Sequence, residues 1–256
     1  KNKINAINAG ITSFGPSVMH VQYKILKKDF KINPKFLVIL IDQTDLGDEV
    51  CRYSKNKVYS DSGNLEFINR ENFTRATYDY TKLYDYSELY LFDNNLMTIT
   101  KFPYIKLRYF LNRNYILIKN IINNGWGNRN NSKCNFGQIQ QELLEFNSSS
   151  KKIFQKSLSE YLDYLSTEKK LNKILIVSFP HKNHFKKLYK VNVSKYIDEV
   201  VEKYSDKRLS HLNFSKFNFS SAEINNIFID GDVASHLKDK YHAELYLKKI
   251  LYTLKN

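Results

Sequence analysis

Two apolar runs, KFLVILID at 35–42 and KILIVSFP at 173–180, limit the possible folds most strongly. Both runs consist mainly of consecutive apolar residues, without the alternation of apolar and polar residues that a half-buried strand shows. Strands of this composition are buried on both faces, which is typical of parallel sheets covered by helices. A shorter run, INAI at 4–7, predicts a strand before them. We therefore expect an α/β protein.

The segment between the strands predicted at 4–7 and 35–42 has a helical period. In SVMHVQYKILKKDF (17–30), apolar side chains recur at Val18, Val21, Ile25 and Leu26. A strand, helix, strand order of this kind predicts a β-α-β unit whose strands are parallel.

Residues 54–170 differ in character and predict a mostly helical insertion, or cap, within a single domain spanning 1–256. Amphipathic periodicity predicts helices at 104–123 and 151–167. Aromatic side chains in this region could stack on sugar rings or simply pack. They are Tyr78, Tyr80, Tyr84, Tyr86, Tyr90 and Trp126.

The last third of the chain predicts further helices. They are expected at about 182–190, 194–204 and 238–254. Between them, NNIFIDGD (225–232) is a short apolar, strand-like piece that runs into an acidic turn.

The formal net charge is +14, from 40 Lys and Arg against 26 Asp and Glu. The basic residues are scattered and never form a run of five, so we interpret them as a solvated surface. Attraction to an acidic glycan or an anionic membrane is the alternative. Nucleic-acid binding would rest on charge alone and is not expected. No apolar run approaches the roughly 20 residues that cross a bilayer.

Cysteine and histidine usage does not predict a metal site. Cys51 and Cys134 lack a CxxC spacing, and either one disulfide or two thiols fits them. His181 and His184 have no carboxylate or cysteine grouped beside them, so we interpret them as turn or surface residues.

Two polar segments follow apolar runs and are candidates for chemistry. In DGDVASH, Asp230 and Asp232 precede His236, which suits the base half of a nucleophilic triad or a capped helix start. In FLVILIDQTDLGDE (36–49), four carboxylates stand at the end of an apolar run on an otherwise basic chain. We interpret the stretch as the rim of a site, not a solvated loop, and expect Asp42, Asp45, Asp48 and Glu49 to brace the turn and bond its neighbours.

Three segments together resemble the SGNH (GDSL-like) hydrolase superfamily. They are NAGITSFGPSVMHVQYKIL, INPKFLVILIDQTDLGDE and DVASHLKDKYHAELYLKKIL, and they cover about 80 residues. They match three of the four family blocks, in the family's order. The resemblance implies a flavodoxin-like three-layer α/β/α fold with a parallel sheet.

The resemblance also implies a catalytic pair near the end of the chain. His236 matches the catalytic base. Asp232 is the matching carboxylate, although it stands four residues before His236 where the family has three, so Asp230 is a rival. His20 is a secondary candidate because it lies on the first predicted helix.

An oxyanion hole is implied by the other two segments. The backbone N–H of Ser13 falls where the family has a glycine, with Gly10 as the alternative register. Thr44 stands where the family has an asparagine whose side chain binds the oxyanion, and Asp45 follows it.

The block that carries the family's nucleophilic serine is absent, since no G-D-S occurs in the sequence. The serine either lies upstream or never existed. With it, the chain would be an esterase or O-acyltransferase for an acylated carbohydrate or similar ester, and no metal or organic cofactor is implied. Without it, the chain would be a non-catalytic domain that binds glycan or protein. The resemblance favours an extracytoplasmic or membrane-anchored location, with any membrane contact made through an upstream segment.

Overall fold

The computed structural model describes residues 6–10, 14–68, 136–217, 219–229, 237–238 and 247–255. By its internal contacts the chain divides into two units, of which the first comprises Lys1–Ile68 and Phe136–Asn256 and the second comprises Asn69–Asn135. All the described residues belong to the first unit.

The described strands form two sheets. They are β1 (Phe36–Asp42), β2 (Lys57–Tyr59), β3 (Leu65–Ile68), β4 (Lys173–Phe179) and β5 (Leu209–Asn213). The larger sheet is parallel, in the order β1-β4-β5, and β2 pairs with β3 as a small antiparallel ribbon. The two long apolar runs are therefore strands, as the sequence predicts, and the molecule is a mixed α/β protein.

The described helices flank this sheet. They are α1 (Pro16–Lys28), α2 (Asp45–Asp48), α3 (Phe136–Leu144), α4 (Ser148–Ser166), α5 (Lys182–Phe185), α6 (Val193–Val201), α7 (Ser221–Ile227) and α8 (Lys248–Lys255). A π-helical turn spans Glu49–Tyr53, and a 3₁₀ turn spans Phe214–Lys216. No helix within the described ranges is both long and apolar enough to cross a membrane.

Helix α4 confirms the amphipathic pattern predicted at 151–167. It begins where the Asn147 side chain accepts hydrogen bonds from two backbone N–H groups, which satisfies donors that have no partner inside the helix. Its apolar face, with Leu158 and Leu165 fully buried, packs in the core beside α1 and α6. The helix predicted at 104–123 lies outside the described residues.

The two faces of the sheet are covered unequally. One face packs against α1, α4 and α6, and there Ile41 of β1 is only 2% exposed. The other face is covered over β4 by an aromatic cluster that includes Phe179, Phe214 and Phe228. On that face β1 remains open, since Leu40 is 57% exposed.

Three predicted elements differ from the structure. Residues 6 and 7, at the end of the strand predicted at 4–7, have no regular structure, and the rest of that segment lies outside the described residues. The 225–232 segment is helical up to Ile227, because Ser220 and Glu223 form a capping box that starts α7. The helix predicted at 182–190 ends at Phe185, close to Lys187 with its positive φ of 58°.

Candidate active site at the carboxyl edge of the sheet

The carboxyl ends of the three parallel strands lie at one edge of the sheet. Asp42 ends β1 directly opposite Phe179 of β4, and Ser178 of β4 lies opposite Asn213, which ends β5. Open α/β sheets place their binding groups at this edge.

The turn after β1 is closed by its own side chains. The backbone N–H and the hydroxyl of Thr44 both donate to Asp42 Oδ1, at 2.6 and 2.5 Å. The backbone N–H of Asp42 donates in turn to Asp45 Oδ2 at 2.9 Å. Thr44, the predicted oxyanion donor, therefore holds its hydroxyl hydrogen on Asp42 in this conformation.

The carboxylates that follow are buried and do not form a solvated loop. Burial, with the charges of Asp42 and Asp48 adding to it, raises the pKa of Asp45 well above its usual value. Burial likewise raises the pKa of Asp48 to about 7, although Arg52 opposes the shift. Arg52 Nη1 lies 2.8 Å from Asp48 Oδ1 but makes no hydrogen bond to it. Asp48 therefore titrates near neutral pH.

Glu49 is the exception, because its buried carboxylate is fully partnered. Oε2 accepts hydrogen bonds from the backbone N–H and the hydroxyl of Ser17, at 3.1 and 2.7 Å. Oε1 accepts one from Ser157 Oγ at 2.6 Å and lies 3.1 Å from Lys57 Nζ. A Cβ at position 15 would lie 2.9 Å from Oε2, so the glycine there permits this close approach. Glu49 thus joins the start of α1 to the turn after β1.

The other predicted oxyanion residue within the described ranges, Gly10, is exposed. Its N–H donates to Asn8 Oδ1 at 3.0 Å, and Gln22 of α1 donates to the neighbouring Ala9 carbonyl at 2.6 Å. Four further site predictions lie outside the described residues: Ser13, Asp230, Asp232 and His236.

The residues that flank the Asp230–His236 segment are described. Phe228 and Leu237 form an antiparallel bridge. Both pack in the cluster with Phe179 and Phe214, which stand at the ends of β4 and β5. The two flanks therefore meet at the carboxyl edge of the sheet.

His20 is a packed aromatic side chain. It is 5% exposed, and its ring lies 5.4 Å from the ring of Tyr161 and 4.9 Å from that of Tyr164. Neither ring nitrogen has a hydrogen-bond partner. Burial, helped by the charges of Lys24 and Lys57, lowers the pKa of His20 to about 4. The imidazole is therefore neutral at physiological pH.

A serine, a histidine and an aspartate that sequence reasoning missed are connected in series. Ser178 Oγ lies 2.8 Å from His211 Nε2, and His211 Nδ1 lies 2.8 Å from Asp198 Oδ1. Asp198 Oδ2 also accepts from Asn213 Nδ2 at 2.8 Å and from Lys216 Nζ at 3.0 Å. The order of groups is that of a Ser-His-Asp relay. Ser178, however, is 0% exposed, so substrate has no access to its hydroxyl here.

Burial shifts the pKa values of the two ionisable residues of this relay, His211 and Asp198. It lowers the pKa of His211, and the neighbouring Asp198 carboxylate opposes that shift. For Asp198 itself, burial raises the pKa, but hydrogen bonds from Lys216, Asn213 and His211 more than offset it and leave the pKa below its usual value. Asp198 therefore stays ionised, and His211 Nδ1 donates to it.

Metal ligation is not supported by the part of the chain that the structure describes, where no group of three or more His, Cys, Asp or Glu side chains is placed to hold an ion. Cys51 is disulfide-bonded, and Cys134 lies outside the described residues. His181 accepts a hydrogen bond from the backbone N–H of Asn183 at 3.1 Å and lies against Tyr189. It serves as the cap of α5.

Comparison with known proteins gives no assignment. No protein-family model, curated protein or solved structure matches the chain.

Proposed function

We propose that this chain is part of an SGNH-like ester hydrolase or O-acyltransferase that acts on an acylated carbohydrate or a similar ester. The observation that carries the proposal is the contact between Ser17 and Glu49, at 2.7 Å between Oγ and Oε2. It brings together two of the three segments that resemble the family, 8–26 and 32–49, beside the carboxyl end of a parallel strand. The fold proposed with it is the flavodoxin-like three-layer α/β/α arrangement.

A second observation supports the same proposal. Leu237, which belongs to the third segment, and Phe228, which precedes that segment, pack in one cluster with Phe179 at the end of β4. This contact supports the proposal that all three segments lie at one edge of the sheet, where α/β proteins bind their ligands.

The proposed reaction is acyl transfer through a serine supplied from outside this sequence. His236 removes the proton of that hydroxyl as its oxygen forms a bond to the ester carbonyl carbon. The bond to the alkoxide then breaks, and His236 returns the proton to the departing alcohol. Water or a second alcohol releases the acyl group by the same steps in reverse. Asp232, or its rival Asp230, orients the imidazole.

Donors for the oxyanion come from the segments at the other end of the chain. In the proposal they are the backbone N–H of Ser13, or of Gly10 in the other register, and the hydroxyl of Thr44. The Thr44 hydroxyl has to leave Asp42 to make this bond. Losing one such donor typically costs about 10²–10³ in rate. In the proposal Asp45 closes the turn after β1 and His20 packs in the core, and the chemistry needs no metal or organic cofactor.

The test uses the longest reading frame that contains this sequence. We expect it to hydrolyse p-nitrophenyl acetate and His236→Ala to abolish that activity, while the control His184→Gln retains it. Undiminished turnover in His236→Ala would refute the assignment of the base.

The second candidate is a non-catalytic SGNH-like domain that binds glycan or protein. The observation that favours it is the engagement of the Thr44 hydroxyl by Asp42, at a position where the family has an asparagine. It predicts saturable binding of an acylated glycan without release of the acyl group. Release of free acid by the purified protein would contradict it.

A further inference from the structure

The Ser178–His211–Asp198 relay continues beyond Ser178 to the turn after β1. Ser178 Oγ donates to Ser194 Oγ at 2.8 Å, and Gln43 Nε2 donates to the same Ser194 oxygen at 3.3 Å. Gln43 Nε2 also donates to the Phe179 carbonyl at 3.2 Å, and Gln43 Oε1 accepts from the backbone N–H of Val193 at 2.8 Å. We refer to the series Asp198, His211, Ser178, Ser194 and Gln43 as the polar chain.

The polar chain crosses the sheet close to its carboxyl edge. Gln43 follows β1, Ser178 lies in β4, His211 lies in β5, and Ser194 and Asp198 lie one turn apart on α6. Gln43 and Ser194 are both buried, so water does not compete for these hydrogen bonds. Movement at one end can therefore be transmitted to the other.

The direction of the serine hydroxyls depends on the proton count of His211. Asp198 is ionised, so Nδ1 donates to it in both states. While Ser178 donates to Ser194, Nε2 must also donate, and the ring is an imidazolium. When Nε2 releases its proton to solvent it becomes an acceptor, and the Ser178 hydroxyl has to turn towards it. Ser194 then loses a donor and must supply its own hydrogen to Ser178.

We propose that His211 is a positioning residue: through Ser178 and Ser194 its protonation changes the hydrogen bond that Gln43 Nε2 donates to Ser194, in the turn that carries Thr44. Gln43 fixes this turn because it holds β1 to the end of β4 and to the start of α6. Thr44 is the next residue along the chain. The consequence for oxyanion binding rests on the proposed function; the coupling between His211 and Gln43 does not.

The charged groups that face His211 come from two elements. Asp198 of α6 contacts Nδ1, and Lys216 of the 3₁₀ turn is bound to the same aspartate. From β4, the polar contact to the ring comes from Ser178. Asp198 and Lys216 have opposite charges and pair with each other, so the protonation of Nε2 is transmitted mainly through Ser178.

Nuclear magnetic resonance tests the coupling without any substrate. The ring signals of His211 and the side-chain amide signals of Gln43 are followed from pH 8 to pH 4. We expect the Gln43 amide to shift with the same midpoint as the His211 ring, below the ordinary histidine value of about 6.5. In Ser178→Ala the His211 ring should still titrate, while the shift at Gln43 is lost.

Two further variants isolate the route. His211→Asn keeps an amide nitrogen near the Nδ1 position for Asp198 but has no group at Nε2, so the step at Gln43 should vanish. His184→Gln, outside the polar chain, should retain it. The proposal would be overturned if the Gln43 amide signals did not shift while His211 titrates, or if their shift survived in Ser178→Ala. It would also be overturned if the His211 ring showed no change of protonation between pH 8 and pH 4.

Activity is a separate readout on the longer reading frame. If the proposed function holds, Ser178→Ala should lower kcat for p-nitrophenyl acetate more than it changes KM, because the oxyanion donor is misplaced while the substrate still binds. Absence of hydrolysis in every form would contradict the proposed function alone, since the Gln43 titration does not depend on it.

Discussion

Ser17 gives both of its hydrogen-bond donors, the backbone N–H and the hydroxyl, to one oxygen of the Glu49 carboxylate. The two residues are 32 positions apart, and both are buried. The contact stands in place of a side-chain cap at the start of α1, where Gly15 makes none. A carboxylate at a helix N-terminus is also favoured by the helix dipole.

Replacing Ser17 with alanine should destabilise the protein. The backbone N–H keeps its bond to Glu49, but one charge-assisted hydrogen bond to a buried carboxylate is lost. We expect the free energy of unfolding to fall by about 1–3 kcal/mol, measured by urea denaturation. Ser149→Ala is the control, since Ser149 is exposed in the first turn of α4, and it should change stability by no more than about 0.5 kcal/mol. Equal stability of the two variants would show that the Ser17 hydroxyl contributes nothing.

Replacing Gly47 with alanine should also destabilise the protein, for a steric reason. A Cβ at this position would lie 2.3 Å from the Ile139 carbonyl oxygen and 2.6 Å from its Cα, so α2 and α3 would have to move apart. Overpacking of this kind costs about 1–3 kcal/mol. Gly63→Ser provides a contrast. Gly63 lies in an exposed turn with open space around it, and its positive φ of 80° is the only strain there. Thermal unfolding should give Gly47→Ala the lower melting temperature.

Replacing His20 with phenylalanine should stabilise the protein and reduce its sensitivity to acid. Phenylalanine keeps the stacking on Tyr161 and removes two ring nitrogens that have no partner, a gain of about 1 kcal/mol at pH 8. The folded pKa of about 4 lies below the unfolded value, so the unfolded chain binds the extra proton between pH 6.5 and pH 4. Stability is therefore lost as the pH falls through this window.

The check for His20 is a set of urea titrations at pH 8, 6 and 5. The advantage of His20→Phe over the original chain should grow at each step. His211 has a lowered pKa as well, so some acid sensitivity should remain in the variant. An advantage that is the same at all three values would contradict the assignment.

Replacing Asp48 with asparagine should have the opposite pH dependence. The folded pKa of about 7 lies above the unfolded value near 3.9, so the folded protein binds the extra proton between these values. The original chain therefore loses stability as the pH rises through about 7. Asp48→Asn removes this loss and should be more stable by about 1–2 kcal/mol at pH 8, with little difference at pH 4. Asp29→Asn, at an exposed position, is the control. If Asp48→Asn were less stable than Asp29→Asn at pH 8, the prediction would be contradicted.

The main strands could be predicted because their composition alone identifies them. The run at 173–180 is mostly apolar, and β4 is buried from Ile174 to Phe179 because helices cover one of its faces and the aromatic cluster covers the other. The run at 35–42 has the same composition, but β1 exposes alternate residues on one face. Composition therefore identified both strands, but the expectation that both faces are covered was wrong for β1.

The polar chain could not be predicted because it depends on strand register. His211 lies opposite Ile176, and only this register brings its ring to Ser178 two residues further along β4. In the sequence, Ser178 stands inside an apolar run and His211 in a polar stretch. Nothing in either segment indicates that the two side chains are in contact. A signal existed for α7, where Ser220 and Glu223 have the spacing of a capping box.

The carboxylates after β1 show a different limit of sequence reasoning. The sequence predicted that they brace the turn and bond their neighbours, as Asp42, Asp45 and Glu49 do. It did not predict that Asp45, Asp48 and Glu49 are buried. The partners that permit burial of Glu49 are remote, since Ser157 is 108 residues away. Such long-range compensation leaves no local pattern in the sequence.

That separation has a consequence during synthesis. The ribosome releases Ser17, Glu49 and Lys57 well before Ser157 is made. In the nascent chain the Glu49 carboxylate therefore has only some of its partners. At about 5–20 residues per second, the interval lasts about 5–20 s. During that time the start of α1, the π-helical turn and β2 can meet on Glu49, but the fourth element is still missing. The last hydrogen-bond partner of Glu49 to be synthesised is Ser157 of α4. The contacts around Glu49 in the first 60 residues are therefore complete only after α4 has been made.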